Sequence, residues 1–312
     1  MKRFLPVALP LLLLTIAAPF ASTHATDTDV AQAKTVLVTG ATGTQGGAVA
    51  RELLSRGYAV YGMTRNPASE RAKALGELGV TLVKGDFEDP ESLQAAMKGM
   101  YGVFAMTDWY RDDFEREVEQ GRNLVAAARS ADVKHFVYTS VSQAETNTGI
   151  PHFDSKWEVE KIVYDSGLNY SIVRPVEFMD NLRYSHDSLM SGVFNDPRAP
   201  ESSHQWIAAR DIGFFVGEAF DHPDEWLGKA KSIAGDEMTI GELVSLLSKV
   251  LGVEITHNQI TWDELESGAG EEIAIMYRWF EEPGYQADLA ALRKRYPDLT
   301  TMEEYVRSLN WH

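Results

Sequence analysis

Apolar and polar positions along this chain follow two alternating rhythms. From Thr35 onward, short runs of β-branched and aliphatic residues give way to stretches with helical spacing of apolar positions, and the connections between them are short. That is the pattern of parallel strands covered by helices on both faces. Strands are expected at Thr35 to Thr39, Ala59 to Thr64, Val80 to Lys84, Gly102 to Met106, His135 to Thr139 and Tyr170 to Val173. The helices between them are expected from about Thr44 to Ser55, Ala68 to Leu78, Pro90 to Met97, Asp113 to Ala131 and Phe153 to Ser166. Such units predict an α/β fold with a doubly wound parallel sheet, a Rossmann fold, over residues 35–183. Ligands of such sheets lie at the carboxyl ends of the strands.

After Phe178 the rhythm changes, and residues 184–312 read as a small C-terminal α/β lobe for the substrate that also contributes late elements to the sheet. Tyr184 to Ser203 is irregular and is expected as a flap over the substrate cleft. A helix starts at Asp211, Lys231 to Ala234 reads as a late strand, Thr239 to Leu251 as an amphipathic helix and Glu254 to Thr261 as an extended segment. The remainder is mainly helical.

Residues 1–25 stand outside this pattern. Lys2 and Arg3, an apolar stretch from Phe4 to Phe20 broken by prolines, and the small residues Ala21 to Ala25 have the layout of a secretory signal. The expectation is export, to the periplasm or beyond the cell, with a membrane anchor as the competing reading; residues 26–34 then form a leader.

Composition narrows the chemistry. The chain has 312 residues, 44% of them hydrophobic, enough for a sizeable core, and a formal charge of −17. Nucleic acid is therefore not expected as a direct partner, because phosphate contacts need clustered Lys and Arg. With no cysteine, disulfides, thiolate metal sites and thiol nucleophiles are excluded. The histidines fall in no metal-ligand pattern, and no metal is expected.

The most informative stretch is Gly40-Ala41-Thr42-Gly43-Thr44-Gln45-Gly46, which follows the first strand and opens the first helix. Its G-x-x-G-x-x-G spacing suits a tight turn, a close backbone approach to a pyrophosphate, and close helix–strand packing. The helix N-terminus would face the phosphates. Arg65 ends the second strand, where an NAD site would hold an acidic residue. It suits a 2′-phosphate, hence NADP, or else is a solvated loop arginine. Asp86 closes the third strand, where it either accepts from an adenine amino group or caps the following helix. No tyrosine is followed four residues later by lysine, so the Tyr-x-x-x-Lys pair of short-chain dehydrogenases is missing. In its place stands His152-Phe-Asp-Ser-Lys156, with His152 and Lys156 on one helical face. Lys156 is a candidate ribose contact and His152 either an acid near neutral pH or polar lining. Ser140 either orients a carbonyl substrate or only caps a strand end. Hydrolase and kinase signatures are absent.

Together these residues resemble the NmrA-like family of atypical short-chain dehydrogenases, most closely its HSCARG-type members. The matching pieces are Thr39 to Gly47, Thr64-Arg-Asn-Pro67, Gly85-Asp86, Phe104 to Thr107, Glu117-Val-Glu-Gln-Gly121, His152 to Glu160, Val173-Arg174 and Asp180-Asn-Leu182. The resemblance implies a cofactor lying across Gly40 to Gln45, Arg65 with Asn66, Asp86-Phe87, Thr107 and Lys156, with Phe178 to Asn181 near the nicotinamide. It implies NADP(H) over NAD(H). Where relatives often carry a second basic residue after Arg65, this chain has Ser69. It further implies one of two functions: an atypical reductase passing hydride to a small quinone, enone or aromatic acceptor, or a redox sensor or scaffold that regulates a protein partner. A homodimer is compatible with either.

Overall fold

The computed structural model describes residue 1, residues 33–109 and residues 113–311. The expected signal, 1–25, apart from residue 1, and most of the leader lie outside the described residues. Strand β1 (Thr35–Val38) is buried from Val36 to Val38, as a central parallel strand covered on both faces must be, and helix α1 (Thr44–Ser55) returns across the sheet. The same step repeats through β2 (Ala59–Thr64), α2 (Glu70–Glu77), β3 (Thr81–Lys84), α3 (Pro90–Met97), β4 (Gly102–Ala105), α4 (Phe114–Ser130), β5 (His135–Thr139), α5 (Pro151–Tyr164) and β6 (Tyr170–Pro175). Shorter elements follow: β7 (Glu177–Phe178), α6 (His186–Met190), β8 (Val193–Asp196), β9 (Ser203–Ile207), α7 (Ala209–Asp221), α8 (Pro223–Trp226), β10 (Lys229–Ile233), β11 (Asp236–Thr239), α9 (Ile240–Leu251), β12 (Thr256–Gln259), α10 (Trp262–Ala269), α11 (Glu271–Glu281), α12 (Leu289–Arg295) and α13 (Met302–Ser308).

The main sheet runs β10-β6-β5-β4-β1-β2-β3, and every neighbouring pair in it is parallel. The order reverses between β1 and β4, which opens a crevice at their carboxyl ends. This is the doubly wound Rossmann-like fold the sequence predicts, and the late strand does join the sheet, as β10. One core, with Val36, Val38, Val49, Leu53 and Phe215, lies under α1 and α7; the other, with Leu37, Leu93, Val103, Leu124 and Phe136, lies under α3, α4 and α5. Local chemistry shifts two helix starts. Ser69 accepts from the Ala72 backbone N–H and so caps α2, which begins at Glu70 rather than Ala68. Pro151, whose missing N–H costs nothing in a first turn, opens α5 before Phe153.

The expected flap is corrected. Within Tyr184 to Ser203 lie α6 and β8, and β8 pairs in parallel with β12. Leu189 and Phe194 are buried with Leu243, Leu247 and Leu251 on the apolar face of α9, and Arg198 pairs with Glu177 and packs on Tyr277 and Phe280, so the segment is docked behind the cavity wall and none of it lines the cavity. Helix α9 is well bounded for this task, with a Thr239–Glu242 capping box at its start and Gly252 at φ 68° after its end. The cover over the crevice comes instead from α11, whose Met276, Tyr277 and Phe280 line it together with Tyr285.

Candidate functional site

The turn after β1 is built so that only glycine fits at its ends. Gly40 has φ 58°, and a Cβ there would come within 2.4 Å of Met106 Sδ. A Cβ on Gly46 would lie 2.3 Å from the Gly40 carbonyl oxygen. The loop is thus pressed against its own first turn, and α1 starts with Gly43, which offers no capping side chain, and with no acidic residue in the first turn. The amides and positive dipole end at that terminus are left to an outside acceptor.

Two cavities flank this loop and share Met106. The first, about 360 Å³, is lined by Gly40, Thr42, Gly43, Arg65, Asp86 and Phe87, with Asn66, Ser69 and Arg71. Arg65 is exposed on its lip. Asn66 and Ser69 spend side-chain acceptors on the loop itself, on the Ala68 and Ala72 amides at 3.0 and 3.3 Å. Asp86 Oδ1 accepts from the Glu88 amide at 3.1 Å. Arg71 was not singled out in the sequence; it stands in the first turn of α2, beyond the loop where basic residues are sought.

The second cavity, about 330 Å³, brings together Gln45, Thr107, Ser140, His152, Lys156, Phe178 and Asn181 under Trp109, Tyr277, Phe280 and Tyr285. Gln45 Nε2 donates to Thr139 Oγ1 at 2.7 Å, tying the loop to the end of β5. Ser140 is 4% exposed and its hydroxyl has no hydrogen-bond partner. Lys156 is paired with Glu117, a residue of α4 only 1% exposed, whose carboxylate also accepts from Thr107 Oγ1 at 2.7 Å and Ser155 Oγ at 2.5 Å. Burial pushes the Glu117 carboxyl up, but the Lys156 charge and these donors outweigh it and hold the group below the usual carboxylate range. The Tyr138 hydroxyl, 3.2 Å from Thr107 Oγ1, completes the network; burial keeps this phenol neutral far above its ordinary range. Sequence reasoning named Glu117 only within the matching piece Glu117 to Gly121 and gave neither it nor Tyr138 a role in the site. A carboxylate on the inward face of α4, one residue before buried Val118, was the available signal.

His152 sits at the first turn of α5, its Nδ1 2.6 Å from Glu272 Oε1, which also accepts from the His152 backbone N–H at 3.1 Å. Burial lowers the imidazole pKa more than Glu272 raises it. A neutral ring donating from Nδ1 to a carboxylate keeps Nε2 as an acceptor, so the arrangement disfavours the acid role considered for it. Trp109 packs against the ring at 5.1 Å between centroids. Among the described residues no cluster of His, Asp and Glu is arranged to hold a metal ion, and no helix is long and apolar enough to cross a membrane.

The chain resembles known proteins along most of its length. The NAD(P)H azoreductase of Xenophilus azovorans is 31% identical over 233 residues, covering 73% of this chain and 78% of that protein. Quinone oxidoreductase 2 of Escherichia coli is 29% identical over 234 residues, covering 72% and 78% respectively. The crystal structure of an NADPH-dependent quinone oxidoreductase of Escherichia coli complexed with NADPH superimposes with a TM-score of 0.76 at 27% identity, over 88% of this chain and 99% of that one. The model of the NmrA-like family matches residues 32–306, and this chain belongs to the NmrA-like family.

Proposed function

We propose that this protein is an NADP(H)-dependent reductase that delivers hydride to a small quinone, enone or aromatic acceptor. The observation that carries the reading is the roughly 330 Å³ aromatic cavity beside the glycine loop, into which the buried, unpartnered Ser140 hydroxyl faces. A buried hydroxyl left unpaired is costly, and a ligand oxygen would satisfy it. The residues present fit a nicotinamide dinucleotide. The uncapped α1 terminus and the loop from Gly40 to Gly46, where a Cβ would fill the space, suit a pyrophosphate. Arg65 and Arg71, without a carboxylate partner between them among the described residues, suit a 2′-phosphate and hence NADP over NAD. Asp86 and Phe87 would border the adenine. Thr107, Lys156, Phe178 and Asn181 would border the nicotinamide end.

Bound NADPH would supply the hydride. The chain's own residues hold and polarise the acceptor. Ser140 Oγ donates to its oxygen, and the Lys156 ammonium, positioned by its pairing with Glu117, stabilises the negative charge that develops there. Trp109, Tyr277, Phe280 and Tyr285 present ring faces to a flat acceptor and exclude water. Acceptors whose reduced form is a stabilised anion need no strong enzyme acid, which suits a site without the Tyr-x-x-x-Lys tyrosine. The first test is calorimetric titration of the full chain with NADPH and with NADH, followed by turnover of NADPH with a quinone panel. Tighter binding of NADPH with turnover supports the reading. Binding without turnover on any acceptor removes the reductase and leaves a dinucleotide-responsive protein.

A further inference from the structure

With 46 acidic against 29 basic residues in the chain, a surface arginine has carboxylates to choose from, and several take them at close range. Arg56 reaches Glu218 at 2.9 Å and Asp221 at 2.6 Å, and Arg307 reaches Glu303 at 2.6 Å. Arg51, Arg71, Arg183 and Arg210 do not, and all four line one groove of about 870 Å³. Arg51 Nη1 donates to the Gly47 carbonyl at 2.9 Å. Arg71 has no hydrogen bond or ion pair among the described residues. Arg183 stands 3.5 Å from Asp180, and Arg210 donates to the Thr300 hydroxyl with its nearest carboxylate, Asp211, at 3.8 Å. The one other acid on the wall, Glu52, is already paired with Arg56 at 2.7 Å.

The fold explains why they meet. The outer face of α1 is the floor, kept low by Gly47 and Ala48; α2 brings Arg71 on one side, and the start of α7 brings Arg210 on the other. A separate observation points to a ligand. Tyr305, 6% exposed, lines the groove with a hydroxyl that lies near Asp180 and Arg183 but makes no well-formed hydrogen bond among the described residues. A buried donor beside arginines whose carboxylates stand no closer than 3.5 Å has room for an anionic oxygen.

We propose that this groove, which adjoins the dinucleotide crevice at Thr42, Gly43 and Arg71 and extends from it along the outer face of α1, is an additional anion site for a small ligand bearing two or more phosphate charges. Guanidinium forks suit phosphate oxygens bidentately, the volume is that of a small-molecule site, and the Tyr305 hydroxyl adds a neutral donor. Arg71 also lines the cavity with Arg65, so the two sites share a cation. Ligand in the groove draws Arg71 away and sets negative charge near that cavity. On the reading of the cavity as a 2′-phosphate site, NADPH then binds more weakly while NADH is little affected, and the coupling is reciprocal.

The probe is inorganic pyrophosphate, titrated calorimetrically into the full chain with and without saturating NADH, and compared with the Arg51→Ala/Arg210→Ala variant. Neither residue lines the dinucleotide cavities. Expected are saturable binding that persists with NADH present, a loss of about tenfold or more in the variant, and unchanged thermal unfolding and NADH affinity. Pyrophosphate should also weaken NADPH several-fold relative to NADH. Equal affinity in wild type and variant, displacement by NADH, or binding of a poly-glutamate peptide in place of pyrophosphate would each overturn the proposal. If neither dinucleotide binds, the reductase reading fails, whereas comparison of the parent with the Arg51→Ala/Arg210→Ala variant still decides the groove.

Discussion

Glu117 and Lys156 make a buried ion pair whose carboxylate has three donors, and such a pair is held by its partners more than by its own attraction. Replacing Glu117 by Gln leaves the Lys156 ammonium, 17% exposed at its side chain, without a counter-charge. The expected cost is about 3 kcal/mol of stability, and adding Lys156→Met should recover part of it. Urea unfolding of the two variants measures this, and a single variant as stable as the parent would show that the pair does not hold α4 to α5. Ser140→Ala predicts the opposite signature. Its hydroxyl bonds nothing among the described residues, so stability should stay within about 0.5 kcal/mol, while kcat/KM for a quinone should fall about tenfold or more. Equal kcat/KM would take Ser140 out of the site. That Lys156 and Ser140 line one cavity was legible because strand ends and helix starts converge in this fold. Glu117 was not, because its partner stands 39 positions away along the chain and only the packing of α4 on α5 brings them together.

At the scale of elements, the placement of strands and helices along the chain followed from hydrophobic rhythm, since a strand buried on both faces and a helix buried on one have different periods. The cover of the acceptor cavity did not. The segment Tyr184 to Ser203 lacks a clear period, but its few apolar residues suffice to dock it on α9, whereas α11 has an aromatic face that finds Phe153 and Tyr285. Which of two segments crosses a cleft depends on partners distant in sequence. Helix α11 is fastened at its start by Glu272, which accepts both the backbone N–H and Nδ1 of His152, and it follows Gly270, at φ 96°. Glu272→Ala therefore frees the N-terminal end of α11 while Met276, Tyr277 and Phe280 remain. The expected outcome is faster amide hydrogen exchange across Glu271–Glu281 and a several-fold higher KM for the acceptor, with NADPH affinity unchanged. Protection and KM like those of the parent would mean that aromatic packing alone holds the helix.

For the whole molecule, a formal charge of −17 and several buried neutral histidines pull stability in opposite directions as pH falls. Protonating carboxylates relieves self-repulsion. The histidines act against this. Burial, with Lys34 adding its charge, holds His135 down at about 4, and burial with Arg198 nearby holds His204 at about 3. In the unfolded chain both titrate near 6.5. Between those values the unfolded state binds more protons than the folded one, so stability rises with pH and is lost as pH drops below about 6.5. Each group contributes a loss of about 2 kcal/mol between pH 7 and pH 5. His135 is enclosed by Phe220, 5.0 Å from its ring, and by Ser171 Oγ at 2.8 Å from Nε2, with Nδ1 unpartnered, so nothing there rewards a charged ring. The background of carboxylate titration is common to the parent and to His135→Asn. Comparing urea unfolding of both at pH 7 and pH 5 therefore isolates one imidazole. The variant should lose about 2 kcal/mol less than the parent over that interval, whatever its stability at pH 7. Equal losses would mean that His135 takes up its proton in the folded state as readily as in the unfolded one, and that its enclosure beneath α7 opens to solvent at pH 5.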